Sequence, residues 1–370
     1  MDEIEKLAAS LLHHGDRELR EGEPLTPPIV PASTFHCSGE VTAPFQYGRF
    51  GHPTWDAVEA QLGLLEQAET VAFPSGMAAI AAVFFATLKS GDTIILPSDG
   101  YHSTRLLAEQ YLTPLGVDVR AHATADYADA PMEDAALIFV ETPCNPTLDV
   151  CELATVAKRA HAAGALVLAD NSTMTPYLQR PLDLGADISL AADTKAPGGH
   201  SDVLFGHVAT RDDGLAEKIR AWRKMSGSIP GPFEAWLVHR GLETLEVRLE
   251  RMCGSAAIIA ERLKEHSAVE AIRFPGLKDD PSFTIAERQM TKPGFLISVT
   301  LESADVAERF LSGCPYIAET TSFGGVHTSG ERRARWGDAV PEGFVRLSIG
   351  CEPTEVLWEA ISTALTVASR

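Results

Sequence analysis

At 370 residues the chain has room for about two domains and a sizeable core, which excludes a small disulfide-stapled module. Lys and Arg number 31 against 51 Asp and Glu, a formal net charge of −20, and so acidic a balance lacks the cationic face that nucleic acid or an anionic membrane requires. Hydrophobic residues at 45% and charged residues at 22% are ordinary globular usage, which excludes disorder and fibrous repeats.

The chain opens on an amphipathic stretch, with Ile4, Leu7, Ala8, Leu11 and Leu12 at helical spacing. Asp2, Glu3 and Glu5 stand where an export signal would carry basic residues, and no long apolar run follows them, so a cytoplasmic location is expected. Pro24, Pro27, Pro28 and Pro31 then mark an extended arm to about residue 50, of the kind that lies across another surface. From residue 56 short apolar runs at 70–73, 93–96, 136–140, 165–169 and 187–191 alternate with helical segments such as 76–89 and 153–163. That alternation predicts βαβ units and a largely parallel sheet. The most apolar stretch, 77–88, is far short of the ~20 residues of a membrane span. A long helix is expected over 233–260, followed by short strands at 271–274, 294–301 and 345–349 that make a second, smaller α/β unit.

In such a sheet ligands gather outside the carboxyl ends of the strands. After 70–73 come Pro74, Ser75, Gly76 and Met77, opening an Ala-rich helix; this reads either as an ordinary cap by Ser75 or as an anion site of backbone N–H groups. After 136–140 comes Glu141-Thr142-Pro143-Cys144-Asn145-Pro146, a rigid turn that projects an amide, and after 165–169 comes Asp170-Asn171. After 187–191 come Ala192-Asp193-Thr194-Lys195 and then Gly198-Gly199-His200-Ser201-Asp202. Alone, Lys195 reads equally well as a surface lysine. Together, an anion site, an acid at one strand end and a lysine at another suggest pyridoxal phosphate, which needs an amine, a carboxylate facing its ring nitrogen and a phosphate cradle. There is no GxGxxG after a strand, no Walker A pattern, no HExxH and no GxSxG. The histidines, His13 and His14 included, show no metal-ligand spacing, and no metal is expected. Cys37, Cys144, Cys151, Cys253, Cys314 and Cys351 contain no CxxC pair and read as free thiols.

With Tyr47-Gly48-Arg49-Phe50-Gly51-His52-Pro53-Thr54 and Arg346-Leu347-Ser348-Ile349-Gly350, these motifs resemble the Cys/Met-metabolism family of pyridoxal-phosphate enzymes, from about Pro24 to the end. That family includes cystathionine γ-synthases, cystathionine γ- and β-lyases and methionine γ-lyases. The resemblance implies an α/β, fold-type I PLP-dependent transferase, aspartate-aminotransferase-like. Its parts would be an N-terminal arm at 1–50, a PLP-binding domain with a large mostly parallel sheet at 51–235, and a smaller C-terminal substrate-side domain at 236–370.

Residue by residue, the resemblance makes Lys195 the Schiff-base lysine and proton shuttle, and Asp170 the partner of the ring nitrogen. Tyr101 would stack on the ring and serve as acid or base. Ser75, Gly76, Met77 and Thr194 match phosphate contacts, and Asn145 a group near the phenolic oxygen. Tyr47 and Arg49 match a pair that reaches the phosphate of a neighbouring subunit, which makes a dimer the minimum active unit; the resemblance implies a homotetramer, a dimer of dimers, with shared active sites. Arg346 and Ser322 match positions near the substrate carboxylate, and His327 stands on the substrate side where many members carry an acidic or small residue. Three residues depart from the family's pattern: Ala192 for a phosphate-binding Ser, Ala196 for Tyr and His52 for Asn. The arginine-rich segment 331–336 has no counterpart and reads as a solvated helix face.

The implied activity is γ-elimination from a small-molecule amino acid such as cystathionine, giving a 2-oxo acid, ammonia and the γ-substituent. The alternatives are γ-replacement on an activated homoserine and a specialised lyase for an unusual, for example halogenated, γ-substituted amino acid. Lys195 together with Asp170 argues against a non-catalytic binding protein of the same fold.

Overall fold

A computed structural model describes residues 3–13 and 19–370, apart from the side chains of Glu3 and Ile4; Asp2 and His14 lie outside the described residues. Seven strands form the large sheet: β1 (Glu69–Phe73), β2 (Thr93–Pro97), β3 (Asp118–His122), β4 (Ala135–Glu141), β5 (Leu166–Asp170), β6 (Ile188–Ala191) and β7 (Gly206–Thr210). Their order is β1-β7-β6-β5-β4-β2-β3. Only β7 runs against its neighbours, and every other pairing is parallel. The five expected runs become β1, β2, β4, β5 and β6, while β3 and β7 are additions.

Strand side chains alternate between faces, and both faces of this sheet are covered. Leu137 and Phe139 pack with Ala79, Val83 and Ile219 of helices Gly76–Thr87 and Asp213–Ser226. Ile138 and Val140 pack on the other face with Leu153, Val156 and Ala160 of helix Leu153–Ala162. Burial on both sides explains why these strands read as unbroken apolar runs.

The second sheet comprises β8 (Ala271–Arg273), β9 (Leu296–Thr300), β10 (Ala318–Glu319), β11 (Ser329–Arg332) and β12 (Phe344–Ser348), in the order β10-β11-β12-β9-β8. The expected long helix is two helices, Pro232–Leu242 and Leu245–Lys264. The break has a local cause: the Gly241 carbonyl accepts from Thr244 N–H at 3.2 Å and from Arg248 Nη2 at 2.7 Å. Arg248 Nη1 also donates to Ala196 O at 2.6 Å, which ties the break to the loop after Lys195.

The 331–336 segment is not a solvated helix face. Glu331 and Arg332 finish β11, Glu331 and Arg333 are buried, and a single turn at Ala334–Trp336 carries the exposed Arg335 and Trp336. Glu331 and Arg333 turn inward because Arg333 pairs with Glu331 and with Asp338. The N-terminal arm lies along its own chain, where Trp236 Nε1 donates to Pro27 O at 3.1 Å and Val30 N–H to Thr54 Oγ1 at 3.1 Å. Among the described residues no helix is long and apolar enough to cross a membrane.

Candidate active site

The carboxyl ends of β1, β4, β5 and β6 converge on one cleft of about 360 Å³, closed on the far side by loop residues Thr321, Ser322 and Phe323 and by Arg333 and Arg346. Ser75, Gly76, Met77, Tyr101, Asn145, Asp170, Thr194, Lys195, Ser322 and Arg346 all line it. Tyr47, Arg49 and His327 do not. The Arg49 guanidinium instead bonds Lys224 O and stacks near Tyr47 and Phe50, with both aromatic side chains exposed. His327 is exposed; the chain turns it outward because Thr328, the next residue, is drawn inward by Glu352, which accepts from its N–H and Oγ1 at 2.7 Å each.

Ser75 caps helix Gly76–Thr87, its Oγ accepting from Ala78 N–H at 3.1 Å. The first-turn N–H groups of a helix lack internal acceptors and favour an anion. Small residues keep the backbone open there. A Cβ on Gly76 would stand 2.7 Å from Ala192 Cβ, and one on Gly206 would stand 2.7 Å from Gly76 N. The expected cap by Ser75 is present, and the same helix start is the candidate anion site. Ala192 N–H donates to Ser172 Oγ at 2.7 Å, while the Thr194 hydroxyl donates to Phe205 O at 3.2 Å and accepts from Phe205 N–H at 3.0 Å. His52, in place of Asn, still acts as a cap: its Nδ1 accepts from Thr54 N–H at 3.2 Å at the start of helix Pro53–Glu66.

Lys195 Nζ donates to Ser322 Oγ at 2.8 Å and lies 4.7 Å from the centre of the Phe323 ring. Burial, reinforced by the Arg346 charge and partly opposed by Asp170 and Glu331, lowers its pKa to about 8. Ser322 holds this contact from a φ of +79°, a conformation costly for a non-glycine residue and frequent at functional sites. The loop's neighbour Gly324, at φ +81°, lies so close to the lysine loop that a Cβ would be 2.6 Å from Ala196 N. Val326 N–H donates to Gly199 O at 2.9 Å beside it.

Residue type alone does not reveal the role of Glu141. This buried carboxylate accepts from Tyr101 N–H at 2.7 Å through Oε2 and from Asn145 N–H at 2.8 Å through Oε1. One side chain thus fixes two loops that line the cleft. Asp170 Oδ1 accepts from Ser172 N–H at 3.0 Å. Burial raises both carboxyl groups, Glu141 to about 8 with the nearby Asp170 charge as the next cause. Arg346 donates to Asn145 Oδ1, to Glu331 and, at 2.8 Å, to Ser322 O. Its buried Nε has no acceptor among the described residues. Glu331, Arg333, Ser172 and Phe323 also escape a reading by motif.

Asp99, Cys144 and Asp149 also approach one another. Thr124 and Thr147 donate to the two carboxylates, and burial raises the Cys144 thiol well above its ordinary value.

The donor set fits pyridoxal phosphate. Lys195 offers an amine that deprotonates near neutral pH, Asp170 a buried carboxyl that gains from a cationic partner, and the Gly76 and Met77 amides an open anion seat. Tyr101, 41% exposed, offers a ring face at the cleft wall. These features define a pyridoxal-phosphate-dependent enzyme. The sequence model described as Cys/Met metabolism PLP-dependent enzyme matches residues 8–366, and the chain belongs to that family.

The chain is 46% identical over 372 residues to a Streptomyces coelicolor protein named "Putative cystathionine gamma-lyase", covering 97% of this chain and 95% of that one. It is 36% identical over 385 residues to the L-methionine gamma-lyase of Pseudomonas deceptionensis, covering 96% of each. Its fold matches a solved cystathionine gamma synthase from Xanthomonas oryzae pv. oryzae in complex with cystathionine, with a TM-score of 0.93 at 34% identity over 98% of each chain.

Proposed function

We propose that this protein carries out γ-elimination on a γ-substituted amino acid such as cystathionine, releasing a 2-oxo acid, ammonia and the γ-substituent. The observation that carries the reading is the Lys195 amine, held between Ser322 and Phe323 in a cleft that also holds the guanidinium of Arg346. Similarity to proteins named as γ-lyases supports the reaction type.

When bound, pyridoxal phosphate supplies an aldehyde for the substrate amine and a ring that accepts the electrons left at Cα. Arg346 binds the substrate α-carboxylate, with Asn145 and Glu331 fixing its plane. Lys195 Nζ would take the Cα proton, pass it on to the bound cofactor and, neutral again, take a Cβ proton, with Ser322 orienting the amine between transfers. Asp170 holds a proton on the ring nitrogen. Tyr101 gives a proton to the departing γ-substituent, its backbone anchored by Glu141. Helix Gly76–Thr87 seats the phosphate through the Gly76 and Met77 N–H groups.

Tyr47 and Arg49 lie outside the cleft of their own chain; the role proposed for them, from the family resemblance, is in a neighbour's site within a homotetramer of paired dimers. Six free cysteines support a cytoplasmic setting. The second reading, γ-replacement on an activated homoserine, is favoured by the match to the solved synthase; it uses the same residues and differs in whether a thiol adds at the γ-carbon or a proton does, water then releasing the 2-oxo acid and ammonia. Purified protein is incubated with cystathionine, methionine and activated homoserines, with and without thiol, and products are read by mass spectrometry. Release of 2-oxo acid and ammonia without thiol is expected. Turnover of none of the sulfur substrates overturns the proposal.

A further inference from the structure

The 331–336 segment gives the cleft a second guanidinium. Arg333 lines the cleft with Arg346 and Lys195, its side chain 9% exposed. Glu331 and Arg346 are direct partners across β11 and β12. Glu331 Oε1 accepts from Arg333 Nη1 at 2.6 Å and from Arg346 Nη2, so one buried oxygen draws two guanidiniums together. Trp336 Nε1 pins Oε2 at 2.9 Å. Asp338 Oδ2 takes Arg333 Nε at 2.8 Å and Nη2 at 2.6 Å.

The layering is directional. Arg333 and Arg346 line the cleft, whereas Glu331 and Asp338 do not; the cations stand in front and the acids behind or beside them. A guanidinium has five N–H donors. These three contacts leave Arg333 with N–H groups to spare, and Arg346 Nε has no acceptor among the described residues. Two adjacent guanidiniums that line one cleft and keep unused donors suit a planar anion. Burial, opposed by Glu331 and aided by the Arg333 charge, holds Arg346 down to about 10, and such an anion also relieves the repulsion between the two guanidiniums.

We propose that Arg333 and Arg346 together grip the α-carboxylate of the substrate, which makes Arg333 a second substrate-binding arginine. This rests on the proposed amino-acid substrate but not on which bond is broken. The match is chemical: a carboxylate has two acceptor oxygens, and a separate guanidinium can take each.

The test titrates holoenzyme with glycine, an α-amino acid without a side chain, and with methylamine, which lacks the carboxylate, following the cofactor absorbance. Arg333→Gln weakens glycine roughly 10- to 100-fold, the loss of a hydrogen bond to a charged group, and leaves methylamine within about twofold of wild type, since it makes no such bond. Substrate KM rises by a similar factor while kcat changes less. Arg333→Lys, which keeps the charge but not the fork, falls between and carries the test where the Gln variant fails to retain cofactor. Unchanged glycine binding, equal weakening of methylamine, or a defect confined to substrates with a second carboxylate overturns the proposal. Failure of the γ-elimination reading appears in the product screen and leaves the glycine titration untouched.

Discussion

Glu141 and Asp170 end adjacent parallel strands as direct register partners, so two buried carboxyl groups stand side by side in the cleft. Their settings separate their tasks. Glu141 is bound by two backbone N–H groups from the loops it anchors, whereas Asp170 takes its backbone N–H from Ser172 and faces the lysine charge.

A raised carboxyl pKa means that the folded apoprotein binds more protons than the unfolded chain, so stability falls as pH rises across the interval between the two values. For Glu141 that interval runs from its ordinary 4.5 to about 8. Apoprotein unfolded in urea at fixed protein concentration therefore loses stability between pH 5 and pH 8, at ~5 and ~8 on this linkage. Glu141→Gln flattens that loss. An equally steep loss in the variant contradicts the assignment.

Lys195 titrates near 8, and only the neutral amine attacks an aldehyde. The rate at which apoprotein captures pyridoxal phosphate, followed by stopped-flow absorbance, rises with pH and levels off above about 8. Lys195→Ala abolishes borohydride-fixable absorbance and lowers turnover by about 10³-fold or more, in the range of a lost acid–base group.

The anion seat depends on missing side chains. Gly76→Ala drives a Cβ against Ala192, and Gly206→Ala drives one against the Gly76 backbone. Each costs roughly 1–3 kcal/mol of packing strain. Fluorescence titration with pyridoxal phosphate detects weaker binding in both, while an alanine at Gly254, which has open space, leaves affinity unchanged.

Behind the lysine loop lies a buried ionic triad. His207 Nδ1 meets Asp193 Oδ2 at 2.9 Å and its Nε2 meets Glu66 Oε1 at 3.0 Å. Despite burial, the Asp193 and Glu66 carboxylates raise His207 to about 10. Its stabilising contribution is complete below its ordinary 6.5 and is lost as pH rises through about 10. His207→Leu strands two buried carboxylates and costs about 3–5 kcal/mol. Adding Asp193→Ala recovers part of that loss, as urea denaturation of the pair measures; a double variant as unstable as the sum of both singles removes the coupling.

Tyr47 and Arg49 admit a complementation test. Arg49→Ala and Lys195→Ala chains are each expected to be inactive, and mixing them under subunit exchange restores a fraction of wild-type activity. No recovery in verified mixed oligomers denies the sharing of sites.

The central strands were legible because burial on both faces leaves apolar runs, and Lys195 and Asp170 because polar residues directly after such runs point into a cleft. β3 escaped detection as a polar, partly exposed edge. β7 escaped because His207 breaks its apolar pattern, although that histidine is fully buried with its acids. Glu141 and Arg333 could not be assigned from residue type. The partners of Glu141 are backbone groups, one of them 40 residues away in the chain, and Arg333 turns inward only because Glu331 and Asp338 neutralise it.

The close approach of Gly324 to Ala196 joins the wall that faces the substrate to the loop that carries the amine, backbone against backbone. A longer or displaced wall would move the nucleophile with it. New substrate preferences are accordingly reached by exchanging the side chain of Thr321 on the cleft surface rather than by remodelling the loop, because the Phe323 ring already lies against the Lys195 amine and the Arg346 guanidinium.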